Sequence, residues 1–437
     1  MTMLIDYLHD TQWNDFPEPV KHNACRSLFD TIGVSAAASK TELSTIIRQH
    51  AARMFAGNGA SLWWDGRKVS PVGAALANGM SIDALDAHDG QKLTKGHVGC
   101  GLIPGIMAIA EAEAINDSQE IMTAMVLGYE FGTRAGVSLH ASAADYHTSG
   151  AWIAVTVAAI GARLLRLNET QTRHAMGIAE YHGPRSQMMR CIDTPSMVKD
   201  GSGWGAMAGV SAAYLAADGF TGAPAISIEG ADVAGYWADL GVHHYMNEQY
   251  IKLYPVCRWA QPAVEAVRHV MRQHDISADQ IANIEISSFD EAVRLCSMAE
   301  TTEEAQYSLP YSVAVAAWRG TIGVDDISAA GLADPAIQSM AGKIRITSND
   351  QFNAAFPHQR FAQASIRTTD GKQYQSAPTE AIGDPEDAVS DDILRQKFHA
   401  LAGSRLDHDT ASTLEIALGG LQQLPDIPCV MDIMRQG

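Results

Sequence analysis

The chain lacks the features that mark several function classes. Its six cysteines (Cys25, Cys100, Cys191, Cys257, Cys296 and Cys429) are scattered and form no CxxC pair. That spacing speaks against a disulfide framework and against a zinc or iron–sulfur site, so a reducing cytoplasm is the expected setting. Long apolar runs are missing too. The longest, Ala151–Ala162 (AWIAVTVAAIGA), stops at Arg163 and is too short for a bilayer. The N-terminus lacks the basic start and apolar core of a signal peptide, so a soluble protein is expected. Basic residues are few: 31 Lys and Arg stand against 50 Asp and Glu, a formal charge of -19 with histidine neutral. Such a chain has no footprint for nucleic acid or an anionic membrane. A few buried lysines could still make a local pocket for an anionic small molecule. No GxSxG elbow and no Gly-rich dinucleotide fingerprint occurs.

What is present is a globular composition, 46% apolar and 19% charged over 437 residues, which suits two domains. To about residue 270 the pattern is helical. The spacing predicts helices over 21–38, 120–136, 148–167, 205–217 and 262–274, with Asp117 and Glu120 as a capping box for the second. After residue 275 strand alternation appears in IEISSF (Ile284–Phe289), KIRIT (Lys343–Thr347) and a hairpin turning at Asp370-Gly371. Helical pattern returns from Asp391. The expected fold is therefore mainly α: a large all-α domain (1–270 and 391–437) with a smaller α+β lid domain (271–390).

Chemistry concentrates in DALDAHDGQKLTKGHVGCGLIP (Asp83–Pro104), which leads into an apolar helix expected to start at Pro104. Asp83, Asp86, Asp89, His88, His97, Lys92 and Lys95 crowd this segment. Three readings stay open from the residues alone. It is a solvated acidic loop, a metal site with Asp86, His88, Asp89 and His97 as ligands (a metal-dependent hydrolase), or an acid/base pair of aspartate and histidine. Elsewhere, His147 stands just before the apolar helix expected from Thr148; it reads as a capping or packed histidine, or as part of a helix start whose N–H groups suit a carboxylate. Lys199 and Lys252 lie in apolar surroundings and either snorkel or hold an anion. Cys257 reads as inert packing or as a nucleophile.

These segments, in order over most of the chain, resemble the MmgE/PrpD family. The resemblance rests on FDTIGVSAAA (from Phe29), VGAALANGMSIDALD (from Val72), GHVGCGLIPGIMAIAEA (from Gly96) and YHTSGAWIAVTVAAIGARLLRLN (from Tyr146). It continues with MVKDGSGWGAMAG (from Met197), IKLYPVCRWAQPAVEAV (from Ile251), AQYSLPYSVAVA (from Ala305) and KFHALAG (from Lys397). It implies a helical domain with an α+β lid, usually a homodimer, and no metal or organic cofactor. It also implies carbanion-like chemistry on a small di- or tricarboxylate, as a dehydratase or decarboxylase or, in the second place, an epimerase or isomerase. The implied catalytic set is Asp86, His97, His147, Lys199, Lys252 and Tyr254, with His97 oriented by Asp86 as acid/base and Tyr254 a second donor. His88, Asp89, Thr148, Arg190, Cys257 and Gln261 are the expected substrate contacts. Three departures stand out: His88 and Gly90 replace an acid and a hydroxyl-bearing residue, Gln261 replaces a histidine, and Arg185–Pro195 is longer than usual. They point to a shifted substrate or a reassigned proton donor. If they had removed activity, a non-catalytic carboxylate-binding protein would remain.

Overall fold

The fold was analysed in a computed structural model, which describes residues 2–436. It is mainly α, with a smaller α+β part, as expected. Several helices start where a side chain satisfies their free N–H groups. Ser70 caps Pro71–Asp83 through the N–H of Gly73, and Asn168 and Gln171 close a capping box on Glu169–His182. Helix Gly150–Leu164 is buried along its whole length, because helices Ser118–Ser142, Glu169–His182 and Ser202–Ala217 surround it. Its Ala, Val and Ile residues thus serve packing on every face.

In the smaller part a four-stranded mixed sheet runs in the order Ile344–Ser348, Ile281–Ser288, Ala362–Thr368, Gln373–Gln375. The first pair is parallel and the others antiparallel, and the last pair is the Asp370-Gly371 hairpin, with Gly371 at φ +87°. Helices Gln261–His274 and Leu309–Arg319 pack together beside this sheet, the first directly on strand Ala362–Thr368. The sheet's helical layer therefore begins before the expected boundary at 271. The tail helix Asp391–Ala402 returns to helix Glu18–Ala38. There Lys397 pairs with Asp30 at 2.6 Å and donates to the carbonyl of Ala87 at 2.7 Å, so the tail braces the Asp83–His97 segment from behind.

Three local expectations are corrected. The helix after that segment spans Gly99–Ala112, with Pro104 inside it. Proline there removes one donor, and packing on helices 71–83, 150–164 and 202–217 carries the helix through the defect. Glu120 does not close a box with Asp117, because its carboxylate takes both sides of the Arg163 guanidinium at 2.8 Å; Asp117 caps alone. The segment is also not a solvated loop: Asp83 ends helix Pro71–Asp83, and every residue from Ala84 to Gln91 is buried.

Two helices that flank the site touch backbone to backbone. A Cβ on Gly203 would stand 2.3 Å from the carbonyl oxygen of Leu76, and one on Gly79 would stand 2.7 Å from the Cα of Gly203. Gly203→Ala is therefore expected to push Ser202–Ala217 away from Pro71–Asp83 and lower stability by about 1–3 kcal/mol, the usual cost of overpacking. Urea unfolding checks this; an unchanged midpoint would show that the contact yields freely.

Candidate active site

The site is assembled around the carboxylate of Asp86, just beyond helix Pro71–Asp83. Lys252, with no exposed surface, places its ammonium directly on Asp86 Oδ1. Gln306 completes the clamp. Its Oε1 accepts from the Asp86 N–H and from Lys199 Nζ, both at 2.8 Å, and its Nε2 donates to the carbonyls of Ala84 and Thr302 at 3.1 Å. Lys199 is buried as well, 4.6 Å over the ring of Tyr307, and holds a left-handed backbone at φ +47°. Such a conformation costs a non-glycine residue about 1–3 kcal/mol and marks a position fixed by its surroundings. Burial alone would raise the Asp86 carboxyl, but the charges around it, Lys252 first and then Lys199, hold it well below the carboxylate range. Burial is the largest influence on Lys252 and lowers it, but the charge and hydrogen bond of Asp86 together with Tyr250 and Cys257 raise it overall, so the pair stays ionised.

His97 faces the same space. Its ring Nδ1 bonds the backbone carbonyl of Asp89, and its N–H donates to Ser149 Oγ at 2.9 Å. A carbonyl only accepts, which assigns the proton to Nδ1 and leaves Nε2 with its lone pair turned into the site. Asp86 is thus not what orients this ring: its Oδ1 lies 4.0 Å from Nε2. His88, wholly buried, meets His97 edge-on at 4.4 Å between ring centres and turns Nε2 to Asp83, 3.5 Å away. Burial, then Lys252 and His88, push His97 well below the usual histidine range, so it is neutral near pH 7.

Asp200 stands across from it. Its Oδ2 accepts from Ser149 Oγ at 2.8 Å and lies 3.8 Å from His97 Nε2. Its one basic neighbour within ion-pair distance among the described residues is His97, which is neutral. Burial and the neighbouring Asp83 push its carboxyl up to about 7, against the pull of the Ser149 hydrogen bond. A neutral imidazole and a carboxyl that holds its proton up to about pH 7 therefore face one another.

The other expected residues are distributed unevenly. Tyr254 is turned away: its hydroxyl is held by Glu265 and Arg268 and cannot serve as a donor at Asp86. Gln261 supports the chain around it, donating to the carbonyls of Tyr254 and Val256. Cys257 lies close enough to Asp86 and Lys252 to feel both, but burial pushes its thiol up to about 12, which makes it a packing group and not a nucleophile. Asp89 points behind the site to Tyr129, with its carboxyl raised to about 6 by burial. His147 is neutral, lowered by burial and Arg185, and pairs its backbone with Gln187. Thr148 and the exposed Arg190 line a cleft of about 600 Å³ that reaches Lys199 from the surface. Gly90 has a packing reason: a Cβ there would stand 2.4 Å from the hydroxyl of Tyr250 and 2.7 Å from His97 Nδ1.

Asp86, His88 and His97 are the one group with metal-ligand spacing among the described residues, their donor atoms lying within 4.8 Å of one another. The Lys252 ammonium already neutralises Asp86 there, and Asp89 faces elsewhere, so the four-ligand set is not assembled. Asp200, Ser149, Gln306 and Tyr250 were not singled out from sequence. Asp200 directly follows Lys199 and Gln306 stands in AQYSLPYS, but nothing in the pattern separates them from ordinary capping or packing residues.

Comparison with known proteins agrees with this architecture. The MmgE/PrpD N-terminal domain matches residues 2–238 and the MmgE/PrpD C-terminal domain residues 254–423. Cis-aconitate decarboxylase of Mus musculus is 22% identical, over 98% of this chain and 92% of its own length. The protein of that name from Homo sapiens is 21% identical over 98% and 93%, and that of Aspergillus terreus 21% over 85% and 82%. Both parts of the fold are matched in order, from the helical part that supplies Asp86, His97 and Lys199 to the part that supplies Gln306, and the chain belongs to the MmgE/PrpD family.

Proposed function

We propose that the protein is a cofactor-independent lyase that acts on a small di- or tricarboxylate through a carbanion-like intermediate. The observation that carries this reading is the pairing of neutral His97 Nε2 with Asp200 Oδ2, 3.8 Å apart, beside two buried ammonium groups. Lys199 and Lys252 hold the substrate carboxylate on which charge accumulates, in a water-poor site where fixed cations act strongly. In a decarboxylation the bond to one carboxylate breaks and carbon dioxide leaves. The electron pair spreads onto the adjoining unsaturated carboxylate, and Asp200 delivers the proton that quenches it. In a dehydration His97 Nε2 takes the carbon-bound proton and Asp200 protonates the departing hydroxyl. The names of the similar proteins make cis-aconitate the first substrate to assay. Six free cysteines favour a reducing cytoplasm, and no helix among the described residues is long and apolar enough to cross a membrane.

The proton assignment fixes a pH dependence. Asp200 must hold its proton, so activity is expected to be high below pH 7 and to fall as the pH rises through about 7. His97 stays neutral over that range and adds no opposing limb. Asp200→Asn should lower kcat by about 100- to 10,000-fold and abolish the limb, the usual weight of a general acid. A variant with near-normal kcat and an unchanged profile would refute the assignment. His97→Ala should impair exchange of the substrate proton with deuterated solvent to a similar degree.

Metal independence is checked by elemental analysis and chelation. Turnover should survive exhaustive treatment with a chelator, whereas stoichiometric zinc or manganese whose removal abolishes activity would establish the hydrolase-type site at Asp86, His88 and His97.

Association into a homodimer belongs to the same proposal. Trp204 and Leu215 lie about three turns apart on one face of helix Ser202–Ala217, and with Val198 and Phe220 they expose an apolar surface. Sedimentation of the wild type should give a dimer that Trp204→Glu weakens; a wild-type monomer at micromolar concentration would overturn this part.

A further inference from the structure

Arg360 is a buried cation without an anion. It precedes strand Ala362–Thr368 in the smaller part, and only 3% of it is exposed. Its side chain reaches the larger part, where Nη2 donates to the carbonyl of Lys92 at 2.8 Å. Nε and Nη1 have no hydrogen-bond partner among the described residues. The acids nearby are engaged elsewhere. Asp384 sits 2.7 Å from Arg258 and 3.2 Å from Lys92, and Glu380 accepts the backbone N–H of Arg360 itself. A guanidinium cannot shed its charge, and burying one with no counter-charge costs several kcal/mol. An arrangement of this kind is made for an anion that arrives.

The surroundings say where that anion stands. The guanidinium lies 5.7 Å from the ring centre of Tyr250. The other end of Tyr250, its hydroxyl, fills the space beside Gly90 that also borders His97 Nδ1. Tyr146 lies near enough to feel the charges of both Asp200 and Arg360. Its ring carries the ammonium of Lys95 at 4.2 Å, and its hydroxyl bonds the Lys95 carbonyl. Lys95 makes no ion pair within 4.0 Å among the described residues; Glu291 is the acid that faces it. Its backbone is left-handed, at φ +53°. Arg360 and Lys95 therefore form a second cationic pair: both lie 5.9 Å from the ring of Phe356, and the charge of Arg360 lowers Lys95.

We propose that Arg360, with Lys95 beside it, is the subsite for a second carboxylate of the substrate, the one remote from the bond that breaks. This rests on the lyase reading above and adds that the smaller part of the fold supplies specificity: a molecule with one carboxylate satisfies Lys199 and Lys252 and leaves Arg360 unpaired. Arg360 is a binding residue and takes no part in proton transfer.

The test is calorimetric titration of tricarballylate, a saturated tricarboxylate that does not react, into the full-length protein and its Arg360→Gln and Arg360→Lys variants. Charge-assisted hydrogen bonds of about 1.5–3 kcal/mol correspond to about 10- to 100-fold in affinity. Arg360→Gln should weaken binding by that factor, and Arg360→Lys should restore part of it. With cis-aconitate the loss should appear mainly in KM and leave kcat within a few-fold. Thermal melting separates this from a structural role, because removing an unpaired cation should leave Tm unchanged or raise it. Equal tricarballylate affinity in wild type and Arg360→Gln overturns the proposal even if turnover establishes a lyase. Arg360-dependent binding of inorganic phosphate but not of tricarballylate also overturns it. Arg360-dependent tricarballylate binding in a protein that turns over no carboxylate upholds the subsite and removes the lyase reading.

Discussion

The ion pair between Lys252 and Asp86 is the interaction on which the site depends. Two opposite charges have been taken out of water, and that desolvation is recovered only if both partners are placed well and their remaining valences are satisfied. Gln306 meets this condition by taking the Asp86 N–H and the Lys199 ammonium on one oxygen. It also ties the Ala84–Asp86 turn to the part of the fold that carries the sheet. Behind the turn, Lys397 and Asp30 form a second buried pair that holds the carbonyl of Ala87. The turn is thus fixed from three directions by chain segments far apart in sequence. Removing Lys252 alone would strand a buried carboxylate, which is more costly than the pair is stabilising.

That fixed charge explains how two proton-carrying groups side by side acquire opposite tendencies. His97 is in the neighbourhood of Lys252, so the charged imidazolium is disfavoured. Asp200 is in the neighbourhood of Asp83 and Asp86, so the charged carboxylate is disfavoured. Burial acts in the same direction in each case, against charge. Burial, with Lys252 on one side and Asp83 on the other, therefore leaves a neutral imidazole beside a carboxyl that holds its proton up to about pH 7.

Some of this was legible in the sequence. Alternation and helical period gave the division into helical and sheet-bearing parts, and Asp86, His97, Lys199 and Lys252 stood out because titratable groups in apolar, glycine-rich surroundings are expensive unless used. The errors arose where a neighbour in space decides. Tyr254 is near Lys252 in the chain, yet Glu265 and Arg268 on the following helix capture its hydroxyl. Gly90 looked like the loss of a functional hydroxyl, but its missing side chain makes room for the phenol of Tyr250. Asp200 and Gln306 carried no signal, since a polar residue beside a helix start is commonly a cap.

The sequence by itself determined that this is a mainly α, acidic chain with buried-type helices and a short segment dense in carboxylates and imidazoles. Those properties follow from composition and periodicity, which act locally along the chain. Only the tertiary structure decided which lysine neutralises which aspartate, which histidine nitrogen faces the site and which carboxyl keeps its proton. Each of these is set by the distance between groups far apart in the chain, such as Lys252 and Asp86, and by the loss of water around them. Desolvation and Coulomb energy depend on spatial separation, and that is fixed when the two parts of the fold pack together.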